Sequence, residues 1–279
     1  MDYKTLLTVL TDDTIAAAQL DQAAGLANAC DAHLDILCLG VDRTQYGYYY
    51  GGPDAVILQE TLTQAENQAS GLRDLAKDRM ARAGDRWSTS NGVVQLSDIG
   101  RHVAYRARFA DLVIAPRPYG EGRGPELVGV VEAAMFEGRV PVLVMPDAAR
   151  LESKPKTVLV AWNESVEAMA AIRKSLPFLV AADTVRITVI DPPQHDSDRS
   201  DPGAMLGQMP ARHGAKCEID VLSNTMYRVS DVLNRHATDT DADMIVMGAY
   251  GHSRFRQSIL GGATRSMLEK AAVPVLMAH

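Results

Sequence analysis

The segment PKTVLVAWNES, residues 155–165, decides the fold because a close counterpart occurs near the start of the chain. That counterpart is YKTLLTVLTDD, residues 3–13, and both copies run from Lys-Thr through an aliphatic strand to a polar turn and an alanine-rich helical pattern. Two later pairs of segments also match: ADLVIAPRPYG with ADMIVMGAYG, and RVPVLVMP with AVPVLMAH. The chain therefore consists of two related halves.

The polar segment DAARLESKP separates the halves, so we expect one domain in residues 1–149 and another in residues 150–279. The first is longer, and we expect its additional residues between Asp42 and Val93, a segment that contains TQYGYYYGG and a helical pattern over residues 55–83. We expect the apolar positions of that helix to pack into the core rather than to form a groove for a partner. They are Leu58, Leu62, Ala65, Ala69, Leu72 and Leu75.

Strands and helices alternate in the second half. The predicted strands are TVLVAW, VRITVI, CEIDVL, DMIVMG and VPVLMA. Helices are expected near residues 166–181, 229–238 and 263–271, with an irregular segment after Asp191. Continuously apolar strands between amphipathic helices indicate an α/β fold with a doubly wound parallel sheet in each half. Such sheets bind ligands outside the carboxyl ends of strands, where the strand order reverses.

Composition narrows the class of protein. The net charge of −7 disfavours a general nucleic-acid binder, which usually has a basic surface. Cys30, Cys38 and Cys217 have no C-x-x-C spacing, which indicates free thiols in a reducing compartment, and Cys38 is expected in the core. No apolar stretch approaches the roughly 18 residues of a membrane helix, and nothing resembles a secretory signal. We therefore expect a cytoplasmic protein with no membrane span and no nucleic-acid partner.

The stretch GAYGHSRFRQSILGGATR, residues 248–265, follows a predicted strand and opens a predicted helix. Glycines let a ligand approach the backbone, and free N–H groups at a helix start favour phosphate. Arg254, Arg256 and Arg265 add positive charge. The residues alone leave two interpretations open: a phosphate-binding loop, or a flexible connection between strand and helix.

The spacing G-x2-G-x9-G, at Gly248, Gly251 and Gly261, resembles the nucleotide-binding signature of the universal stress protein family. The resemblance covers nearly the whole chain as a tandem of two such domains, and the second half is the clearer copy. It implies Rossmann-like five-stranded sheets of order 3-2-1-4-5 and binding of ATP, with or without Mg²⁺. It also implies that residues 273–276 and 140–143 meet as an intrachain pseudo-dimer, and it leaves open a further homodimer.

The same resemblance places the nucleotide on particular residues. Ala161, Trp162 and Asn163, with the backbone of Val189, would hold the adenine. The residues expected at the ribose and phosphates are Met247, Gly248, Tyr250, Gly251, Gly261, Gly262, Ala263 and Thr264. His252 would either reach a phosphate or be an exposed loop histidine. The family usually has aspartate at Asn163 and often serine or threonine at Gly262, so we expect weakened but not abolished binding.

The first half lacks the signature. Without gaps, Ala115, Pro118, Val128 and Val131 stand where the second half has Gly248, Gly251, Gly261 and Thr264. Proline has no N–H and valine takes up room, so the first half is not expected to bind ATP in the family manner. Its segment PRPYGEGRG, residues 116–124, favours a surface loop over a second ligand site.

No motif of catalysis stands out. The sequence contains no H-E-x-x-H, G-x-S-x-G or H-x-G-H, and HDSDRSD, residues 195–201, favours a solvated loop over a metal site. The leading interpretation is an ATP-binding module of stress response or signalling, with no catalytic residues and at most slow hydrolysis. The alternatives are a ligand-free scaffold that binds a partner, and a slow ATPase or nucleotidyl-transferring enzyme.

Overall fold

The computed structural model describes residues 3–43, 55–84, 86–151, 154–192, 203–249 and 262–279. Their contacts divide them into two compact units: residues 4–140, and residues 141–279 together with Tyr3. This division assigns the last strand of the first repeat to the second unit. The expected boundary between residues 149 and 150 concerns the repeats themselves and stays a prediction.

The first unit is built around a parallel sheet with strand order β3-β2-β1-β4. A short 3-10 turn, Leu96–Asp98, links β3 to α3. The elements are β1 (Thr5–Leu10), α1 (Asp13–Ala29), β2 (His33–Asp42), α2 (Ala55–Met80), β3 (Trp87–Gln95), α3 (Ile99–Ala107), β4 (Leu112–Pro116) and α4 (Pro125–Phe136).

The second unit has strand order β5-β10-β9-β6-β7-β8, and every pairing except that of β5 with β10 is parallel. Its strands are β5 (Val142–Met145), β6 (Thr157–Trp162), β7 (Thr184–Ile190), β8 (Cys217–Leu222), β9 (Met244–Gly248) and β10 (Val275–Ala278). Its helices are α5 (Val166–Lys174), α6 (Leu176–Ala181), α7 (Ala204–Arg212), α8 (Val229–Asp239) and α9 (Ala263–Lys270). The predicted α/β fold and, within this unit, the order 3-2-1-4-5 are confirmed.

The last strands of the two repeats meet as expected. Leu276 of β10 lies opposite Leu143 of β5 in an antiparallel pair. Tyr3 also packs on the second unit: its hydroxyl donates to the Lys174 carbonyl at 2.6 Å, and its ring lies 5.3 Å from that of Phe178. The second unit is thus completed by two pieces of the first repeat.

Each repeat has an equivalent hydrogen bond that fixes the start of its first strand. Asp111 accepts from the Lys4 N–H at 2.7 Å, and Asp243 accepts from the Lys156 N–H at 2.6 Å. Both aspartates precede the fourth strand of their repeat, in the matching segments ADLVIAP and ADMIVMG. The sequence repeat is therefore also a repeat of local structure.

The central strands are buried on both faces. Val158, Leu159 and Val160 are each no more than 1% exposed, although successive side chains of a strand point to opposite faces. A sheet covered on both sides needs aliphatic residues at every position, which explains the continuous apolar runs. No helix in the described ranges combines the length and the apolar composition that crossing a bilayer requires.

Two predictions about helices in the second unit were wrong. The helix expected over residues 166–181 is interrupted at Ser175, because Pro177 has no N–H and its ring cannot follow the preceding helical turn. The segment expected to be irregular after Asp191 contains α7, at residues 204–212. Gly207 and Pro210 have low helix propensity, but burial of Leu206, Gly207 and Pro210 outweighs that local preference.

The long helix of the first unit packs into the core, as expected, through Ala65, Ala69 and Leu72. Leu62 is an exception with 43% of its surface exposed. The residues TQYGYYYGG before this helix lie outside the described ranges. Cys38 is fully buried, and burial raises the pKa of its thiol to about 12, so the prediction of a core thiol is confirmed.

Candidate functional site

The carboxyl ends of β6, β7 and β9 lie side by side in the second unit. In the sheet, Ala161 is opposite Met247 and Trp162 is opposite Val189. The strand order reverses here, because β6 connects onward to β7 on one side and has β9 on the other. The structure thus brings together four of the predicted site residues at the edge where doubly wound sheets bind ligands.

The turn after β6 exposes Asn163. Its Oδ1 accepts a hydrogen bond from the Ser165 N–H at 3.3 Å, and the Ser165 hydroxyl caps α5 by accepting from the Ala168 N–H at 3.1 Å. The side-chain amide nitrogen of Asn163 donates to no residue in the described part of the chain. Asn163 therefore presents an N–H donor to solvent where an aspartate would present only acceptors.

Asp191 forms the neighbouring turn, after β7. Its Oδ1 accepts from the Asn224 N–H at 3.1 Å, and its own N–H donates to the Leu222 carbonyl at 2.9 Å. The residue has a φ of 48°, a left-handed conformation that aspartate tolerates better than most residues. These bonds hold the carboxyl ends of β7 and β8 together beside the candidate site.

Gly248 has a structural role that the sequence did not reveal. A Cβ on Gly248 would lie 2.7 Å from the Glu167 carbonyl carbon and closer still to the Ala168 nitrogen. The first turn of α5 therefore packs directly on the backbone of β9. Contact between strand and helix accounts for this glycine without any ligand, although the prediction assigned it to the nucleotide.

The start of α9 offers backbone donors. Gly262 is the N-cap, with extended backbone and no side-chain cap, and the Ser266 N–H donates to its carbonyl at 3.2 Å. The N–H groups of Ala263 and Thr264 belong to the first turn of this helix. Thr264 is only 5% exposed.

Four predicted site residues lie outside the described ranges: Tyr250, Gly251, His252 and Gly261. The same holds for Arg254, Arg256 and the segment HDSDRSD. In the ranges that the structure does describe, no three His, Cys, Asp or Glu side chains are grouped closely enough to hold a metal.

Thr188 is a polar residue of this edge that sequence reasoning missed. It lies opposite Ala161 in the sheet, is 1% exposed, and its hydroxyl has no hydrogen-bond partner within the described residues. A threonine within the aliphatic strand TVRITVI was the available signal. Its hydroxyl is one of several buried polar side-chain atoms that have no hydrogen-bond partner among the described residues.

The matching edge of the first unit is filled by its own side chains. Glu126, in the first turn of α4, is 1% exposed and pairs with Arg43. Its carboxylate lies over the N-cap, since a Cβ on Gly124 would come within 2.5 Å of the carboxylate carbon. A negative charge of the chain itself therefore occupies the helix start where a phosphate would otherwise bind.

Gln68 of α2 closes the strand ends of the first unit. Its amide donates to the Thr11 carbonyl at 2.9 Å and accepts from the Val41 N–H at 3.1 Å. The comparison without gaps had placed Val128 and Val131 near the helix start, but α4 begins at Pro125, so Val131 lies well inside it. The first unit thus differs from the second by a longer helix as well as by the lost glycines.

In comparisons with known proteins, the second half of the chain matches a known family. Residues 154–279 match the model of the universal stress protein family. Universal stress protein Slr1230 from Synechocystis sp. is 30% identical over 145 residues, which cover 49% of this chain and 46% of that relative. The chain thus matches about half the length of this curated relative.

Solved structures resemble the chain over its full length. A universal stress protein from Archaeoglobus fulgidus has a TM-score of 0.67 at 16% identity, with 99% of this chain and 96% of that chain covered. A candidate universal stress protein from Pseudomonas aeruginosa has a TM-score of 0.56 at 16% identity, with 99% and 93% covered. At these identities the likeness shows the fold.

Proposed function

Because residues 154–279 match the model of the universal stress protein family, we propose that the chain is a nucleotide-responsive signalling module with one ATP site. The site lies at the carboxyl edge of the second unit's sheet. One observation carries the proposal: the glycine signature begins at Gly248, at the edge where β6, β7 and β9 end together. A signature at another edge of the sheet would not favour a ligand site.

The adenine would lie against the turn after β6 and the end of β7. The backbone of Val189 and the side chain of Asn163 supply hydrogen-bonding groups there, and the Trp162 side chain is half-buried beside them. Because Asn163 presents a donor as well as an acceptor, it can bond a ring nitrogen of a base. With asparagine instead of aspartate at this position, we expect the adenine to bind more weakly.

The phosphates would lie between the end of β9 and the start of α9. The N–H groups of Ala263 and Thr264 and the positive end of the helix dipole supply attraction for anions. Gly251, Gly261 and His252 belong to this part of the proposal by resemblance, and Mg²⁺ would accompany the phosphates. No nucleophile and base are proposed, so any hydrolysis would be slow.

Equilibrium binding of labelled ATP tests the proposal. The intact chain should bind ATP saturably below millimolar concentration, and Gly251→Val should remove binding because a branched side chain would enter the loop. Pro118→Gly, at the matching position of the first unit, is the control and should leave binding unchanged. Both variants should keep the melting temperature of the intact chain.

Absence of saturable binding at millimolar ATP would contradict the proposal and favour a ligand-free scaffold. Sustained ATP turnover that Gly261→Glu abolishes would instead favour an enzyme. Equal loss of binding in Gly251→Val and Pro118→Gly would place the site elsewhere than in the second unit.

A further inference from the structure

Helix α3 of the first unit has an unusual exposed surface. Within residues 99–110 there is no acidic residue, and the exposed positions are all basic or aromatic. We call these residues the basic face of α3: Arg101, His102, Tyr105, Arg106, Arg108 and Phe109. The buried positions Val103, Ala104 and Ala107 account for the packing of the helix, so the basic face is not needed for it.

The arginines of this face have no acidic partners. Arg101, Arg106 and Arg108 form no ion pair with any carboxylate in the part of the chain that the structure describes. Arg108 donates only to the carbonyl of Ala104 in its own helix, at 3.4 Å. Three unpaired guanidinium groups on one short helix contrast with the net charge of −7 of the whole chain.

The two aromatic rings of the face are exposed together. Tyr105 is 61% and Phe109 68% exposed, and their rings meet edge to face with centroids 5.9 Å apart. Large aromatic rings usually stabilise a protein by being buried. Exposed aromatic pairs beside arginine are typical of surfaces that bind partners.

A groove adjoins these rings. It has a volume of about 330 Å³ and lies between the end of α3 and the open side of β1, β2 and β3. Arg106 and Phe109 line one wall, while Leu37 and Ser90 lie on the sheet side. Asp35 also lines the groove, where its carboxylate accepts from the Ser88 hydroxyl at 2.5 Å.

The matching helix of the second unit provides an internal comparison. In α8, Arg235 pairs with Asp239 at 3.6 Å, and His236 lies 2.8 Å from Asp220. Asp220 also forms an ion pair with Arg186, with 3.0 Å between its Oδ1 and the arginine Nη1. The fold therefore does not require an unbalanced cationic helix here, and the basic face of α3 is specific to the first unit.

We infer that the basic face of α3 binds an acidic segment of a partner protein, with an apolar side chain of that segment in the groove beside Phe109. Charge complementarity selects the occupant: the guanidinium groups pair with carboxylates, and the exposed rings cover the apolar side chain. A helix of nine residues is only about 14 Å long, so a long nucleic acid would extend beyond it over a chain whose net charge is −7.

A defined peptide tests this inference. The probe is a fluorescent peptide that alternates glutamate and leucine around a central phenylalanine, measured by anisotropy at low salt with the full chain. We expect saturable binding that weakens at least about tenfold in the triple variant Arg101→Glu, Arg106→Glu, Arg108→Glu. The control triple variant Lys77→Glu, Arg82→Glu, Arg212→Glu changes the net charge equally and should bind nearly as the intact chain does.

A second variant separates the groove from the charges. Tyr105→Ser with Phe109→Ser should weaken binding of this peptide, but not of a peptide with alanine in place of phenylalanine. No binding by the intact chain, or equal loss in both triple variants, would overturn the inference. Tighter binding of an oligothymidylate of similar length, lost in the first triple variant, would overturn it in favour of nucleic acid.

Discussion

Gly248 lies where β9 passes against the first turn of α5, with room for a hydrogen and nothing larger. Because the neighbouring atoms belong to the backbone of Glu167 and Ala168, they cannot move aside as a flexible side chain would. A substitution here shifts the helix or the strand. The first glycine of the signature therefore affects stability directly.

Gly248→Ala is expected to lower the free energy of unfolding by about 1–3 kcal/mol, because the added methyl group overpacks this contact. Urea denaturation measures the loss. Gly207→Ala is the matched control: its Cβ would lie 3.6 Å from the Ile187 Cδ1, and alanine suits a helix interior better by about 0.5–1 kcal/mol. Similar losses in both variants would show that the backbone contact is not the reason.

At the scale of elements, the strands were the most predictable part of the chain. The centre of the segment TVLVAW, Val158 to Val160, is aliphatic at every position because both faces of the sheet are covered there. The helix α7 was missed because Gly207 and Pro210 oppose a helix locally, whereas packing favours it. The repeat indicates which strands end at the same edge of the sheet, so the place of the candidate site was predictable. The packing role of Gly248 was not.

The start of α4 is the element boundary that the comparison of halves misplaced. Gly124 followed by Pro125 was the available signal, since proline suits the first position of a helix. The buried charge of Glu126 had no such signal, because nothing in the sequence joins it to Arg43. A distant ion pair at a helix start emerges only from the folded chain.

Arg43→Met is expected to destabilise the first unit, because it leaves the buried Glu126 carboxylate without its cation. Removing one partner of a fully buried pair costs about 3–5 kcal/mol, and we expect roughly 2–3 kcal/mol because Arg43 is half exposed. Denaturation with urea measures the change. Adding Glu126→Gln should restore most of the loss, and Arg86→Met, which breaks an exposed pair with Asp31, should change little. A loss that Glu126→Gln does not restore would contradict this account.

At the scale of the whole molecule, neither repeat forms a unit alone. β5 of the first repeat pairs with β10, and Tyr3 packs against Phe178. Without β5, the strand β10 becomes the edge of its sheet. An aliphatic edge strand is a template for pairing with another chain.

A chain shortened to residues 150–279 is therefore expected to self-associate through β10. The intact chain keeps β5 beside β10 and should self-associate less at the same concentrations. Sedimentation velocity at several concentrations compares them. Monomers in both cases would show that β5 is not needed to cover β10.

The pairing of β5 with β10 also affects how the chain folds. Val144 and Val275 are roughly 130 residues apart, so their pairing closes one of the longest loops in the molecule. Contacts so distant in sequence form late and slow the overall rate. During synthesis, β5 leaves the ribosome long before β10 exists. Until β10 is made, the aliphatic strand VLVM lacks this partner, and association between nascent chains is the characteristic hazard of that interval.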